Sequence, residues 1–526
     1  MRALVVLFVL IAGAAQAAPP SPYASISEQR GALAEGAATS IQLVDAYLER
    51  IQRIDRRGPN LNSVLALNPK ARDQARALDA ERQLGKAAGL LQGVPILVKD
   101  NIETADLPTT AGSLALRRNN TGRDAPVVSR LVDAGAVILG KTNLSEWANF
   151  RSTTSINGWS AVAGRVRNPY ALNRSTCGSS AGSAVAVAAG LAAAAIGTET
   201  DGSITCPAAM TGIVGLKPTV GLVSRTHMVP ISPEQDTAGP MTRSVTDAAI
   251  LLTVMAGTDA ADPATKQADA RKTNYLSALN RRALRGVRIG AWNPYRGRSP
   301  ETDAVFEHAL ETLEAQGAVI VRVRGVESDD LDKISPYEVT ALHSEFRAAL
   351  DAYLATTPEA VSTRSLKEVI AFNTDTPREM QLFGQEILEA SERAPALNDP
   401  AYQQARATAR KLATEALDRM LADRRLAAIV APSAGPAEVT DLRGDGRWLG
   451  SPSLLPAVSG TPHLTVPMGQ ALGMPVGLSF LGPAWSEARL LGLGFAFEQA
   501  AKARRQPEFR PSVVVHPYAA FIGEDP

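Results

Sequence analysis

The chain has 526 residues, with 54 Lys and Arg against 53 Asp and Glu. Hydrophobic residues make up 45% of it and charged residues 20%, as in soluble globular enzymes. Because the charges balance, the sequence lacks the basic footprint of a protein that binds nucleic acid or anionic membranes. The length suits one large domain or two to three small ones.

The first 17 residues have the pattern of a secretory signal peptide. Arg2 supplies a short positive region, residues 3–14 are apolar, and Ala15-Gln16-Ala17 matches a cleavage site. The apolar run is shorter than the roughly 20 residues of a membrane span, and a buried N-terminal helix is the alternative interpretation. We therefore expect a mature chain from about residue 18 to residue 526, periplasmic or secreted, without membrane contact after cleavage.

Helical and strand-like patterns alternate through most of the chain. Thr39 and Ser40 precede apolar residues at helical spacing over 41–51, and Asp124 is expected to cap a helix over 126–134. Short apolar runs predict buried strands at 93–98, 136–139, 286–290, 318–323 and 427–431. This alternation predicts an α/β fold, a sheet with helices on both faces.

Two later regions differ from this pattern. Residues 335–425 form a run of amphipathic helical segments, which predicts a mostly helical insertion within a single domain over 18–526. Residues 433–455 are rich in Gly, Pro, Ser and Asp, which predicts a loop. We expect the side chains that select a substrate to lie in these two regions.

The chain has two cysteines, Cys177 and Cys206. An oxidising compartment would permit a disulfide, but spacing alone does not show one, and two separate thiols are the simpler interpretation. Two cysteines without a histidine cluster argue against a zinc site. We expect no metal and no cofactor.

The stretch from Gly178 to Gly182 fits G-x-S-x-G, the nucleophile elbow of α/β-hydrolases, with Ser180 at its tip. In the chain order of that fold, His463 and His516 are the candidate histidine partners. Neither histidine lies in a diagnostic context, and the pattern is weak in a chain with 41 glycines. The elbow is therefore the less favoured interpretation.

A second serine lies in a tight turn, Thr198-Glu199-Thr200-Asp201-Gly202-Ser203. Gly202 favours a bend in which several backbone N–H groups point one way, and such a nest can hold an oxyanion beside the Ser203 hydroxyl. An ordinary Gly-Ser turn is the alternative. Upstream, Lys99 ends a buried strand, where burial lowers the pKa of a lysine and frees it to act as a base. A lysine paired with Asp100, or reaching to solvent, is the alternative there.

Together these pieces suggest Ser–Lys catalysis without histidine, and they match a known family. The chain resembles the amidase signature family over about residues 30–515. The family's ordered motifs match residues 93–100, 177–183, 197–208, 212–219 and 239–241. The resemblance implies an amidase signature fold, with a central mixed β-sheet flanked by helices on both faces.

Position by position, the resemblance implies a role for each motif residue. Ser203 matches the nucleophile, Ser179 the bridging serine held by a cis peptide bond, and Lys99 the catalytic lysine. Backbone N–H groups of an oxyanion hole fall on Thr200, Asp201, Gly202 and Ser203, and a supporting hydroxyl falls on Thr198. This sequence departs from the family's usual residues at Cys177, Ala181, Asp201 and Thr205, which leaves the Ser–Ser–Lys set intact but alters the pocket lining.

Within the family the chain is most similar to the bacterial peptide amidases, which remove ammonia from a peptide's C-terminal carboxamide. The expected partner is a small-molecule or peptide amide, not nucleic acid. An amidase for aryl acylamides or fatty amides is an alternative. One component of the tRNA-dependent amidotransferase is a less favoured one, because charged tRNA is cytosolic. The sequence leaves the oligomeric state open, with a monomer as the simplest expectation.

Overall fold

The computed structural model describes residues 20–86, 89–324, 326–422, 425–441 and 450–513. The predicted signal peptide, residues 1–17, lies outside the described residues, as do His516 and residues 442–449 of the predicted loop.

The described strands are β1 (Val64–Leu67), β2 (Pro95–Lys99), β3 (Val137–Thr142), β4 (Trp159–Ser160), β5 (Gly164–Arg165), β6 (Ala194–Glu199), β7 (Val214–Lys217), β8 (Thr237–Thr242), β9 (Arg288–Ala291), β10 (Val319–Arg322), β11 (Ala428–Pro432), β12 (His463–Ala471) and β13 (Met474–Leu481). The described α-helices are α1 (Ile26–Ala34), α2 (Ser40–Arg50), α3 (Ala71–Gln83), α4 (Pro126–Asp133), α5 (Ala181–Ala188), α6 (Thr205–Met210), α7 (Val245–Met255), α8 (Ala268–Arg271), α9 (Pro300–Ala315), α10 (Ser328–Leu354), α11 (Leu366–Asp375), α12 (Glu386–Glu392), α13 (Pro400–Ala422), α14 (Leu454–Ser459) and α15 (Glu487–Ala501).

Eleven of these strands form one sheet in the order β1-β3-β2-β6-β8-β7-β12-β13-β11-β9-β10. β2 runs parallel to β3 and β6, and β9 runs parallel to β10 and β11. The remaining neighbours are antiparallel. The central sheet is therefore mixed, as the family resemblance implies.

Alternate residues of β2 enter different cores, because side chains alternate across a strand. Ile96 and Val98 join a core on one face, whereas Leu97 joins a core on the other. Helices α4, α7 and α15 contribute to the first core, and α2, α3 and α5 to the second. Helices cover both faces of the sheet. Side chains on either side of β2 are therefore buried, and adjacent residues of this strand before Lys99 are apolar.

Of the two predicted helix caps, Thr39 is confirmed and Asp124 is not. Thr39 caps α2, since its hydroxyl accepts a hydrogen bond from the Gln42 N–H. The prediction that Asp124 caps α4 is wrong, because the cap residue of α4 is Ala125. The Asp124 carboxylate instead accepts a hydrogen bond of 2.7 Å from the Ala105 backbone. A local pattern does not show that a distant backbone group competes for the same carboxylate.

Helices α10 to α13 occupy the chain between β10 and β11, around the segment predicted as a helical insertion. α10 packs against α13, and the Arg406–Glu345 ion pair joins the two helices at 2.6 Å. The first turns of α10 form one wall of the cleft described below. None of the helices among the described residues is both long and apolar enough to cross a membrane.

Candidate active site

Lys99 is the last residue of β2, between the parallel neighbours β3 and β6, and its side chain is fully buried. Its ammonium nitrogen donates to the Ser179 hydroxyl at 2.7 Å, to the Thr198 hydroxyl at 2.8 Å and to the Thr198 carbonyl at 3.2 Å. Burial lowers the pKa of Lys99 from 10.5 to about 7, although the negative charges of Asp236 and Glu199 oppose the shift. A large fraction of Lys99 is therefore neutral at pH 7.

The alternative of a Lys99–Asp100 pair does not form. Asp100 pairs instead with the buried Lys141, at 3.1 Å. Asp100 lies in the turn just after β2, where its carboxylate also accepts a hydrogen bond from the Thr110 backbone at 3.1 Å. Lys99 is thus left with hydroxyl and carbonyl partners.

The two candidate serines lie on loops that touch. Ser179 follows Gly178 through a cis peptide bond and directly precedes Ser180, the N-cap residue of α5. Ser203 ends the turn between β6 and α6. The Ser180 N–H donates to the Ser203 carbonyl at 3.1 Å, so a backbone hydrogen bond joins the loops beside both hydroxyls.

The turn before Ser203 has the conformation that its glycine suggests. Gly202 has φ of +74°, in the left-handed region that favours glycine. Among the described residues, no group accepts a hydrogen bond from the backbone N–H of Asp201, Gly202 or Ser203. All three residues line the cleft described below, so these N–H groups lie next to it.

Glu199 fixes this turn, a role that sequence reasoning missed. Its buried carboxylate accepts hydrogen bonds from the backbone N–H groups of Ile204, at 2.7 Å, and Thr205, at 2.9 Å. It thereby accepts hydrogen bonds from N–H groups at the start of α6 that have no acceptor within the helix. A carboxylate at the end of an apolar strand, just ahead of a helix, was the available signal.

Two further polar residues support the threonines of the turn. Asn101 donates to the Thr198 hydroxyl at 2.9 Å, so that hydroxyl accepts from both Asn101 and Lys99. The Thr200 hydroxyl donates to Asp236 at 2.6 Å. Asp236 lies 36 positions from Thr200, and no sequence pattern linked them.

Ser180, the tip of the elbow pattern, is bound to backbone rather than to histidine. Its buried hydroxyl donates to the Thr198 carbonyl at 3.0 Å and accepts from the Thr198 N–H at 3.2 Å. His463 instead shares a hydrogen bond of 2.7 Å with Ser479, and burial lowers its pKa to about 3. The Ser180–His463 arrangement of an α/β-hydrolase is not assembled.

A cleft of about 730 Å³ opens beside Ser203. It is bordered by the two serine loops, by the start of α10 and by the described edges of the 433–455 segment. Cys177 and Cys206 also line it, and they are joined by a disulfide. The expectation of two separate thiols is wrong, because the fold brings the loop before α5 together with the start of α6, so that two cysteines 29 positions apart meet.

Comparison with known proteins agrees with this geometry. The amidase family model matches residues 42–491. The chain belongs to the amidase signature family. Such enzymes hydrolyse amide C–N bonds, and this amidase has the buried lysine and paired serine loops described above.

Solved and curated relatives cover nearly the whole amidase. The native peptide amidase of Stenotrophomonas maltophilia is 49% identical, with a TM-score of 0.88 over 93% of this chain and 100% of that one. A "probable amidase" of Arabidopsis thaliana is 38% identical, over 92% of this chain and 91% of the relative. One chain of the glutamyl-tRNA(Gln) amidotransferase of Halorhodospira halophila is 36% identical, over 92% of this chain and 98% of the relative.

Proposed function

We propose that this amidase hydrolyses the C-terminal carboxamide of peptides, releasing the free peptide acid and ammonia. The observation that carries the proposal is the 49% identity to a peptide amidase over 93% of this chain. The cleft beside Ser203, about 730 Å³, is within the range of sites for ligands larger than a single amino acid.

The proposed chemistry uses Lys99, Ser179 and Ser203 in a relay. Neutral Lys99 accepts the proton of Ser179, Ser179 accepts that of Ser203, and the Ser203 oxygen attacks the amide carbonyl. The N–H groups of the Gly202 turn stabilise the oxyanion. The relay then returns a proton to the nitrogen, the C–N bond breaks and ammonia leaves. Water cleaves the acyl-enzyme by the same route and regenerates the Ser203 hydroxyl.

The charge of the cleft favours a substrate with a neutral C-terminus. Its lining carries one guanidinium group and four carboxyl groups: Arg298, Asp201, Asp332, Glu338 and Glu438. Burial raises the pKa of Asp201 and of Glu338, and the charge of Asp201 raises that of Glu338 further, so these two carboxyls carry less negative charge near pH 7 than exposed ones would. A product carboxylate is repelled by the remaining negative charge, which promotes its release after hydrolysis.

The decisive experiment measures ammonia or amine release from a peptide amide, its free-acid twin and an anilide of the same acyl group. We expect release from the peptide amide and none from the free acid. Faster cleavage of the anilide, or cleavage of internal peptide bonds, would contradict the proposal. Ser203→Ala is the control for contaminating amidases.

We further propose that the protein is exported. Residues 1–17 have a signal-peptide pattern, and a disulfide beside the nucleophile suits an oxidising compartment. An exported enzyme would not meet charged tRNA, so the amidotransferase role is the weaker alternative despite the 36% identity. Fractionation of expressing bacteria, with N-terminal sequencing, should recover a periplasmic chain that begins near Ala18. A cytoplasmic chain that keeps Arg2 would contradict export.

A further inference from the structure

The Cys177–Cys206 disulfide joins the loop that carries Ser179 to helix α6, which directly follows the turn that carries Ser203. Cys177 lies two residues before Ser179, and Cys206 lies three residues after Ser203 in the first turn of α6. The two Cα atoms are 6.0 Å apart. Both cysteines are buried in the floor of the cleft, so the bond lies beside the reaction centre rather than at the periphery.

Each half of the disulfide connects to the reacting groups through a few bonds. The Cys206 N–H donates to the Gly202 carbonyl at 2.8 Å, which links one sulfur to the turn that holds the oxyanion N–H groups. On the other side, Cys177 is bonded directly to Gly178, whose cis peptide precedes Ser179. Cys177 has φ of +53°, a conformation that disfavours residues with a side chain and needs support from its surroundings.

The other contacts between these loops lie on the opposite side of Ser179. They run from Ser180 to the Ser203 carbonyl and to both backbone groups of Thr198. On the Cys177 side the Cys177 N–H donates to Ser175, and its carbonyl accepts from Thr176. Asn168 reaches α6 only indirectly, since its amide donates to the carbonyls of Ser175, at 2.8 Å, and of Met210, at 3.1 Å. Before Ser179, the disulfide is therefore the direct link between the Ser179 loop and α6, whereas direct hydrogen bonds link the serine loops after it.

We propose that the Cys177–Cys206 disulfide is a positioning element that holds Ser179 and the oxyanion turn in register, so that its reduction slows catalysis while the fold persists. The inference rests on the proposed Ser203 acyl-enzyme. Neither sulfur touches the reacting atoms in this scheme. Its effect is to keep the relay serine and the turn at one spacing, on which the rate depends steeply.

The test compares the oxidised protein, the same protein reduced by dithiothreitol, and the double variant Cys177→Ala/Cys206→Ala. Thiol titration verifies reduction, and circular dichroism at the assay temperature verifies folding. Two rates are measured: kcat for the peptide amide, and the rate of labelling by a fluorophosphonate. Labelling needs the nucleophile and the oxyanion hole but no particular amide substrate.

We expect reduction to lower kcat and labelling by tenfold to about a hundredfold with little change in KM. Reoxidation should restore both rates, and the double variant should be slow and indifferent to dithiothreitol. The inference is wrong if the reduced, folded protein keeps the oxidised rates. It is equally wrong if the loss only matches the fraction unfolded by circular dichroism.

The substrate proposal and the disulfide proposal can fail independently in this experiment. If oxidised protein is labelled but hydrolyses a different carboxamide, the peptide-amide proposal fails. The labelling rates then still decide the role of the disulfide.

Discussion

The ammonium nitrogen of Lys99 lies 2.7 Å from the hydroxyl of Ser179, a residue 80 positions further along the chain. The contact forms because β2 ends beside the loop that precedes α5, inside the cover of helices. Burial gives this lysine its low pKa, and the serine hydroxyl gives it a proton to accept. The proposed relay depends on both the low pKa of Lys99 and its contact with the Ser179 hydroxyl.

Removal of the lysine nitrogen should remove the base. Lys99→Met keeps a similar chain length in an apolar site, and we expect kcat to fall by about 10²–10⁴, the range of general-base catalysis. Ammonia release from a peptide amide measures the effect. Lys86→Met, at an exposed lysine paired with Glu81, is the matched control and should be active. Near-wild-type turnover in Lys99→Met would rule out the Ser–Ser–Lys assignment.

The pH profile should show the titration of Lys99. Only the neutral amine accepts a proton, so kcat/KM should rise with pH through about 7, the pKa of Lys99. The Thr198 hydroxyl accepts a hydrogen bond from Lys99 and so favours the charged form. Thr198→Val should therefore lower the pKa and move the acidic limb to lower pH. Thr198→Ser keeps the hydroxyl and should leave the limb in place. If Thr198→Val does not move the acidic limb either, that limb reports the titration of another group.

Loss of the Glu199 carboxylate should loosen the turn before Ser203. Glu199→Ala leaves the N–H groups of Ile204 and Thr205 without their acceptor, and we expect a loss of about 1–3 kcal/mol in the free energy of unfolding. We also expect a fall in kcat of tenfold to about a hundredfold. Glu199→Gln keeps one acceptor oxygen and should be milder in both. Denaturant unfolding and steady-state kinetics make the comparison, and equal effects of Ala and Gln would argue against hydrogen bonding as the cause.

Mass spectrometry of the acyl-enzyme should distinguish the roles of the three serines near the cleft. Ser203→Ala should form no acyl-enzyme, and Ser179→Ala should form it very slowly, because the relay is cut. Ser180→Ala should still form it, since that hydroxyl bonds only to the Thr198 backbone among the described residues. An acyl group that disappears with Ser180 but survives Ser203→Ala would restore the elbow interpretation.

Sequence patterns predicted the elements that local chemistry determines. The apolar runs at 93–98 and 136–139 are strands β2 and β3 to within a few residues, and the Thr39 cap starts α2. They predicted less where two distant groups compete. Asp124 bonds the backbone of Ala105 instead of capping α4, and the same limit hid Glu199 and Asp236.

The sequence by itself determined the family, because ordered motifs from residue 93 to residue 241 specify one set of residues: Lys99, Ser179 and Ser203. Only the tertiary structure decided what these residues touch. It separated Lys99 from Asp100, since Asp100 pairs with Lys141 of the neighbouring strand β3, and it brought Cys177 to Cys206 across 29 positions. The reason is physical: a pKa or a disulfide depends on burial and distance, which the packing of the whole sheet and its helices sets.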